Sequence, residues 1–203
     1  MPDRQPAVLR RVTSGAASPA ATQLDLFPAP NSPRWALSRP LAASRLRDSA
    51  LRRLESVRRH FPELDTVTVR VGRTRSRRAH AWASLDPESP SLWIKPGALA
   101  SFTLAHEFVH LLQARGQAPR GEKSADLHAL ARSVELIDKP PSYLRVPRPL
   151  FHLDGAPRPG VATLLHGAAD KALREAGSRP RVAVRLFEES MARAALAAAH
   201  SVL

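Results

Sequence analysis

The chain has 203 residues and a mass of 22.2 kDa, a length that suits one domain with tails better than two independent domains. It holds no cysteine, which excludes a disulfide framework, cysteine-ligated zinc and a thiol nucleophile. Its 31 Lys+Arg against 18 Asp+Glu give a net charge of +13, a balance that favours polyanionic partners such as DNA.

Residues 1–36 mix Ala, Ser, Pro and Arg with little periodicity and read as a disordered basic tail. One apolar island stands in it, Gln23-Leu24-Asp25-Leu26-Phe27, followed by Pro28. Residues 1–60 carry 11 basic and 4 acidic side chains, so more than half of the excess charge sits in the first third. No apolar run approaches the roughly 20 residues that span a bilayer. The N-terminus has arginines without the apolar stretch of a secretory signal. The expectation is a soluble, cytoplasmic protein with no membrane partner, and its charge allows association with the nucleoid.

From Leu41 to His60 the pattern turns helical, with Leu46, Ala50, Leu54 and Val57 on one stripe and arginines around the rest. Thr66–Val71, Ala79–Ser84 and Ser91–Ile94 read as three short strands, the first two joined by the basic segment Arg73–Arg78. Ala98 to Gln113 is apolar enough for a buried helix, stopped near Gly116. A second helix is predicted over Glu122 to Leu136 and is broken by Pro140-Pro141. Ser142–Gly160 reads as a proline-punctuated loop, followed by helices at Val161–Ala176 and Val182–His200. The expected fold is α+β: a small, mainly antiparallel three-stranded sheet packed on the helix that carries the motif below, with flanking helices. Residues 37–150 would form the domain, and 151–203 a C-terminal loop and helices packed on it.

The motif is His106-Glu107-Phe108-Val109-His110. Histidines at i and i+4 project from one helix face one turn apart, so both imidazoles can meet a single Zn2+. Glu107 is offset around the helix yet within reach of a water held there, where it would act as general base. A hydrolytic zinc site needs a third protein ligand and an open fourth position. Glu122, Asp126 and His128 stand at the start of the next helix. Glu122 and Asp126 share a face, whereas His128 points elsewhere. The two helices should run antiparallel, and His110 lies about one and a half turns before the first one ends. That favours Asp126 if the second helix begins near Gly121, and Glu122 if it begins earlier. The pair can also divide the work, one carboxylate binding metal and the other orienting an imidazole.

The run Thr103-Leu-Ala-His-Glu-Phe-Val-His-Leu-Leu resembles the active-site helix of zincin metallopeptidases. With the preceding strands and Ser91-Leu-Trp-Ile-Lys-Pro, it is similar to the minimal SprT-like and ImmA/IrrE-like zincins. Glu122-Lys-Ser-Ala-Asp126 resembles the Glu-x-x-x-Asp of gluzincins, in which the glutamate binds zinc and the aspartate supports a histidine ligand. The resemblance therefore implies Glu122 as third ligand. SprT-like proteases use a histidine there, and the one close by is His128. A zincin would act on a protein or peptide substrate, and Tyr143, the one tyrosine in the chain, could donate to the oxyanion as similar groups do in related zincins. The ImmA/IrrE likeness implies a different role, a regulatory module controlling a DNA-bound repressor or stress response.

Gln23-Leu-Asp-Leu-Phe27 is similar to the peptide with which many bacterial proteins bind the DNA polymerase sliding clamp. Leu26 and Phe27 would fill an apolar pocket while Gln23 hydrogen-bonds at a second one, with Leu24 and Asp25 between them. Together with the zincin motif, this suggests a peptidase that acts on DNA-associated proteins at replication or repair sites, a logic similar to that of Spartan-type proteases.

Overall fold

The computed structural model describes residues 35–200 except 75, 77–79, 85 and 87. The tail over 1–34, with the Gln23–Phe27 motif, lies outside the described residues. The described chain is α+β, with a four-stranded mixed sheet and six α-helices.

The strands are β1 (Trp35–Leu37), β2 (Val69–Arg73), β3 (Ala81–Ala83) and β4 (Ser91–Ile94), in the spatial order β1-β2-β4-β3. β1 pairs with β2 and β2 with β4 in parallel; only β3 and β4 are antiparallel. This corrects the expectation of three mainly antiparallel strands. β4 lies between β2 and β3, so the strands do not all pair in chain order. Its Leu92 and Ile94 are fully buried on one face, so the most apolar strand takes the central place. β3, Ala-Trp-Ala, offers only small side chains to the core and forms the edge. β1 was expected as the end of the tail. Three residues are too few to show alternation, and Trp35 is ordered by its register opposite Val69 and by stacking on Phe108 at 5.9 Å between ring centroids.

The helix expected over 41–60 divides into α1 (Arg39–Ala42) and α2 (Arg47–Arg58). The chain turns between them, so Leu46 is 45% exposed, while Ala50, Leu54 and Val57 are buried as the stripe predicts. α3 (Ser101–Ala114) runs behind the sheet and is buried almost all round, as an apolar helix without a polar face must be. Phe108 meets Phe61 edge to face at 5.4 Å, locking α3 to the chain after α2. The amides of Ser101 and Phe102 donate to the Asp138 carboxylate at 2.7 and 3.0 Å, so α3 is capped by a side chain 36 residues further on.

α4 (Glu122–Leu130) is shorter than expected; the apolar pattern continues to Leu136, but as a separate 3-10 turn over Val134–Leu136 that begins after the extended Ser133. α5 (Val161–Ala176) and α6 (Pro180–His200) turn back on each other at Gly177, whose φ of +56° suits glycine. Both touch α4. His166 Nδ1 donates to the Leu130 carbonyl at 2.9 Å, and Lys123 reaches Glu188 at 2.7 Å. The helix that carries Glu122 is thus held between α3 and the C-terminal pair. No helix among the described residues is long and apolar enough to cross a membrane.

Candidate metal centre

α3 brings His106 and His110 to one face with their rings edge to face, 4.6 Å between centroids. α4 opens at Glu122, directly after Gly121, whose φ of +110° lets the chain turn sharply enough to aim the first helical residue back at α3. Three atoms converge there. His106 Nε2 and His110 Nε2 are 3.0 Å apart, and Glu122 Oε2 is 3.1 and 3.2 Å from them. Together they form a group able to hold a metal ion. An ion bonded at about 2.0–2.1 Å to three corners of a tetrahedron needs those corners about 3.3 Å apart, close to this triangle.

The hydrogen bonds on the far side of each ring assign the imidazole protons. His106 Nδ1 lies 2.7 Å from Asp126 Oδ1. The Asp126 carboxylate also accepts from the amides of Tyr143 and Leu144 at 2.7 and 3.3 Å, so it is an acceptor throughout and Nδ1 carries the proton. His110 Nδ1 is 2.8 Å from Gln113 Oε1. Gln113 donates both hydrogens of its amide, to the Pro119 and Gly121 carbonyls, which leaves its oxygen to accept from His110. Both imidazoles, when neutral, therefore turn a bare Nε2 lone pair toward the same point as a carboxylate oxygen. Such a donor set is unfavourable alone and suits a cation.

Asp126, weighed as a ligand, stands behind the His106 ring and takes no part in the triangle. Counted from the helix ends, His110 and Asp126 are each four residues in, as the helix-packing expectation has it. But the Asp126 carboxylate is taken up by His106 Nδ1 and the amides of Tyr143 and Leu144, and the longer side chain of Glu122 reaches both Nε2 atoms instead. His128 is also outside the cluster; burial, then the charge of Arg132, hold its imidazole below the ordinary value. Burial alone would lower His106 too, but its bond to Asp126 and the charges of Asp126, Glu107 and Glu122 lift it above 6.5.

Glu107 is 7% exposed. Burial raises its carboxyl above 4.5, aided by Glu122, against the opposing pull of His106 and His110 and of a hydrogen bond from the backbone of Ala83. That amide is available because Ala81 and Ala83 occupy non-hydrogen-bonded positions against β4 and direct their backbone groups off the free edge, while Ser84 and His80 bond to β4. Tyr143 stacks on His106 at 5.5 Å, half-exposed. Partial burial and the carboxylates of Glu122, Asp126 and Glu107 keep its phenol protonated beyond the usual range. A cleft of about 500 Å3 opens over these groups, lined by Ala81, Thr103, His106, Glu107, Asp126 and Tyr143 among others. A larger hollow of about 720 Å3 lies between residues 144–147 and α6 and shares no residue with the cluster.

Sequence reasoning missed Gln113 and Ala83. Gln113 had a usable signal: it lies three residues after His110, on the same face of the helix. Ala83 had none, since its part is played by a backbone amide. The chain matches no family model, no curated protein and no solved structure.

Proposed function

We propose that the protein is a zinc-dependent metallopeptidase of the His-Glu-x-x-His type. The observation that carries this reading is the convergence of His106 Nε2, His110 Nε2 and Glu122 Oε2 at 3.0–3.2 Å, with both imidazole protons directed elsewhere. These three residues would hold Zn2+. When bound, the ion supplies Lewis acidity, making water acidic enough to lose a proton near neutral pH and drawing charge from a carbonyl oxygen.

The chain's own groups do the rest. Glu107, beside the cluster and with its carboxyl raised above the ordinary value by burial, takes a proton from water as that water attacks the peptide carbonyl. It returns the proton to the departing amine as the C–N bond breaks, so one water is consumed per bond. Asp126 keeps His106 in one tautomer, and Gln113 does the same for His110. Tyr143, stacked on His106, would donate its phenolic proton to the oxyanion. The free edge of β3 offers the backbone groups of Ala81 and the carbonyl of Ala83 to an extended peptide. Peptide cleavage by zinc-loaded protein, with Glu107→Gln beside it, tests the reading. The variant should lose about 10²–10⁴-fold in turnover while keeping its zinc; cleavage that persists in it would refute the role of Glu107.

We further propose that the enzyme works on DNA-associated proteins, with Gln23–Phe27 binding a sliding clamp. The net charge of +13 and the sequence of that pentapeptide support this. Titration with purified clamp should show binding that Leu26→Ala/Phe27→Ala abolishes, and equal binding by both proteins would remove the assignment.

A further inference from the structure

The face of the sheet turned away from α3 carries a feature that hydrolysis does not use. Trp82 of β3 and Trp93 of β4 are cross-strand partners, with ring centroids 4.2 Å apart and planes within 1°. The next residue in the same row is Gly72 of β2, opposite Trp93. A Cβ at 72 would lie 2.9 Å from Trp93 Nε1, so glycine there is what lets the indole lean over β2. Trp93 is thus held between a backbone and a second indole. Trp82 is 43% exposed, which is unusual for so large an apolar ring.

Two exposed cations share the face of the stack, while Asp86 and Glu88 stand in the loop that joins its two strands. Arg70 is exposed, lies opposite Ser91 and so shares this face two residues before Trp93; it makes no ion pair among the described residues. Lys95, also exposed, continues the face two residues after it. Each step of two residues is about 7 Å. The stack thus has a cation toward either end of β4, Arg70 from the neighbouring β2 and Lys95 just after β4. Between Asp65 and Asp86 the sequence has Arg70, Arg73, Arg75, Arg77 and Arg78 and no acidic residue.

We propose that this face binds single-stranded nucleic acid, with a base stacking on Trp82 and its phosphates held by Arg70 and Lys95. Exposed π-faces beside cations are what unpaired bases and their backbone require, whereas duplex bases already stack on each other. Serine and glycine around the rings give few base-edge donors, so binding should be tolerant of sequence. The site lies on the opposite face of the sheet from the metal cluster, and its assignment is independent of the peptidase reading.

The test is fluorescence polarisation of labelled dT20, rU20 and a 20-base-pair duplex with the full chain, beside Trp82→Ala, Trp82→Phe and Arg70→Ala. Wild type should prefer the single strands. Trp82→Ala should weaken them about five- to hundred-fold, and Trp82→Phe should retain most of the affinity. Arg70→Ala should reduce the dependence on salt by about one phosphate contact. The tighter of dT20 and rU20 identifies the natural polymer as DNA or RNA. Circular dichroism keeps a folding defect from being read as lost binding. Unchanged affinity in folded Trp82→Ala, or duplex bound as tightly as single strands, would overturn the proposal and leave the stack as a surface for protein.

Discussion

Two helix pairs in this molecule turn back on themselves, and they bury opposite kinds of side chain. α3 and α4 enclose His106, Glu107, Gln113, Ser124 and Asp126 among their buried residues. Among the described residues, α5 and α6 bury only Val161, Leu165, alanines, Phe187 and Met191. Burying polar groups is unfavourable unless each is paired, and here the pairing is complete enough to fix two imidazole tautomers. The C-terminal pair contributes stability by removing apolar area from water and shields the back of α4. One seam is kept for its chemistry and the other for its cohesion, so substitutions should separate the two.

Glu107→Gln, with the largest expected effect on turnover, should not lower the melting temperature. Its carboxyl is raised by burial, so removing the charge relieves a cost; a clear fall in thermal stability would mean that Glu107 is a structural pillar. Phe187→Ala should do the reverse. The side chain is fully buried, and its loss should cost about 3–5 kcal/mol by urea unfolding, with turnover per folded molecule nearly unchanged. A cost below about 1 kcal/mol would show that the C-terminal pair is dispensable to the fold. Asp126→Asn should weaken zinc binding about 10–100-fold, because one carboxylate oxygen that accepted amide protons becomes a donor. Competition with a chelating dye reads this directly, and unaltered affinity would detach Asp126 from the site. The smallest effect falls at Asp138→Ala, which uncaps α3 and should cost about 1 kcal/mol of stability. No change in the unfolding midpoint would mean that water replaces the cap.

The sequence made the helical seam legible and the sheet much less so. His106, Glu107 and His110 declare themselves by a local spacing that helical geometry turns into one face, and the exact span Val161–Ala176 followed from its apolar period. Glu122 was reached only as one of several residues and by resemblance, since choosing among carboxylates on one face depends on side-chain reach and on which of them other groups take up. The strand order could not be read, because pairing β1 with β2 and inserting β4 before β3 are decided by contacts far apart in sequence. The Asp138 cap was hidden for the same reason. Leu46 misled: it fits the helical stripe, yet a turn at residues 43–46 leaves it outside.

The most direct test of the account is the zinc content of the purified, zinc-loaded chain by mass spectrometry, beside Glu107→Gln and Glu122→Ala. One zinc per chain is expected in wild type and Glu107→Gln, and little in Glu122→Ala. No zinc in the folded wild type, or equal zinc in Glu122→Ala, would contradict it.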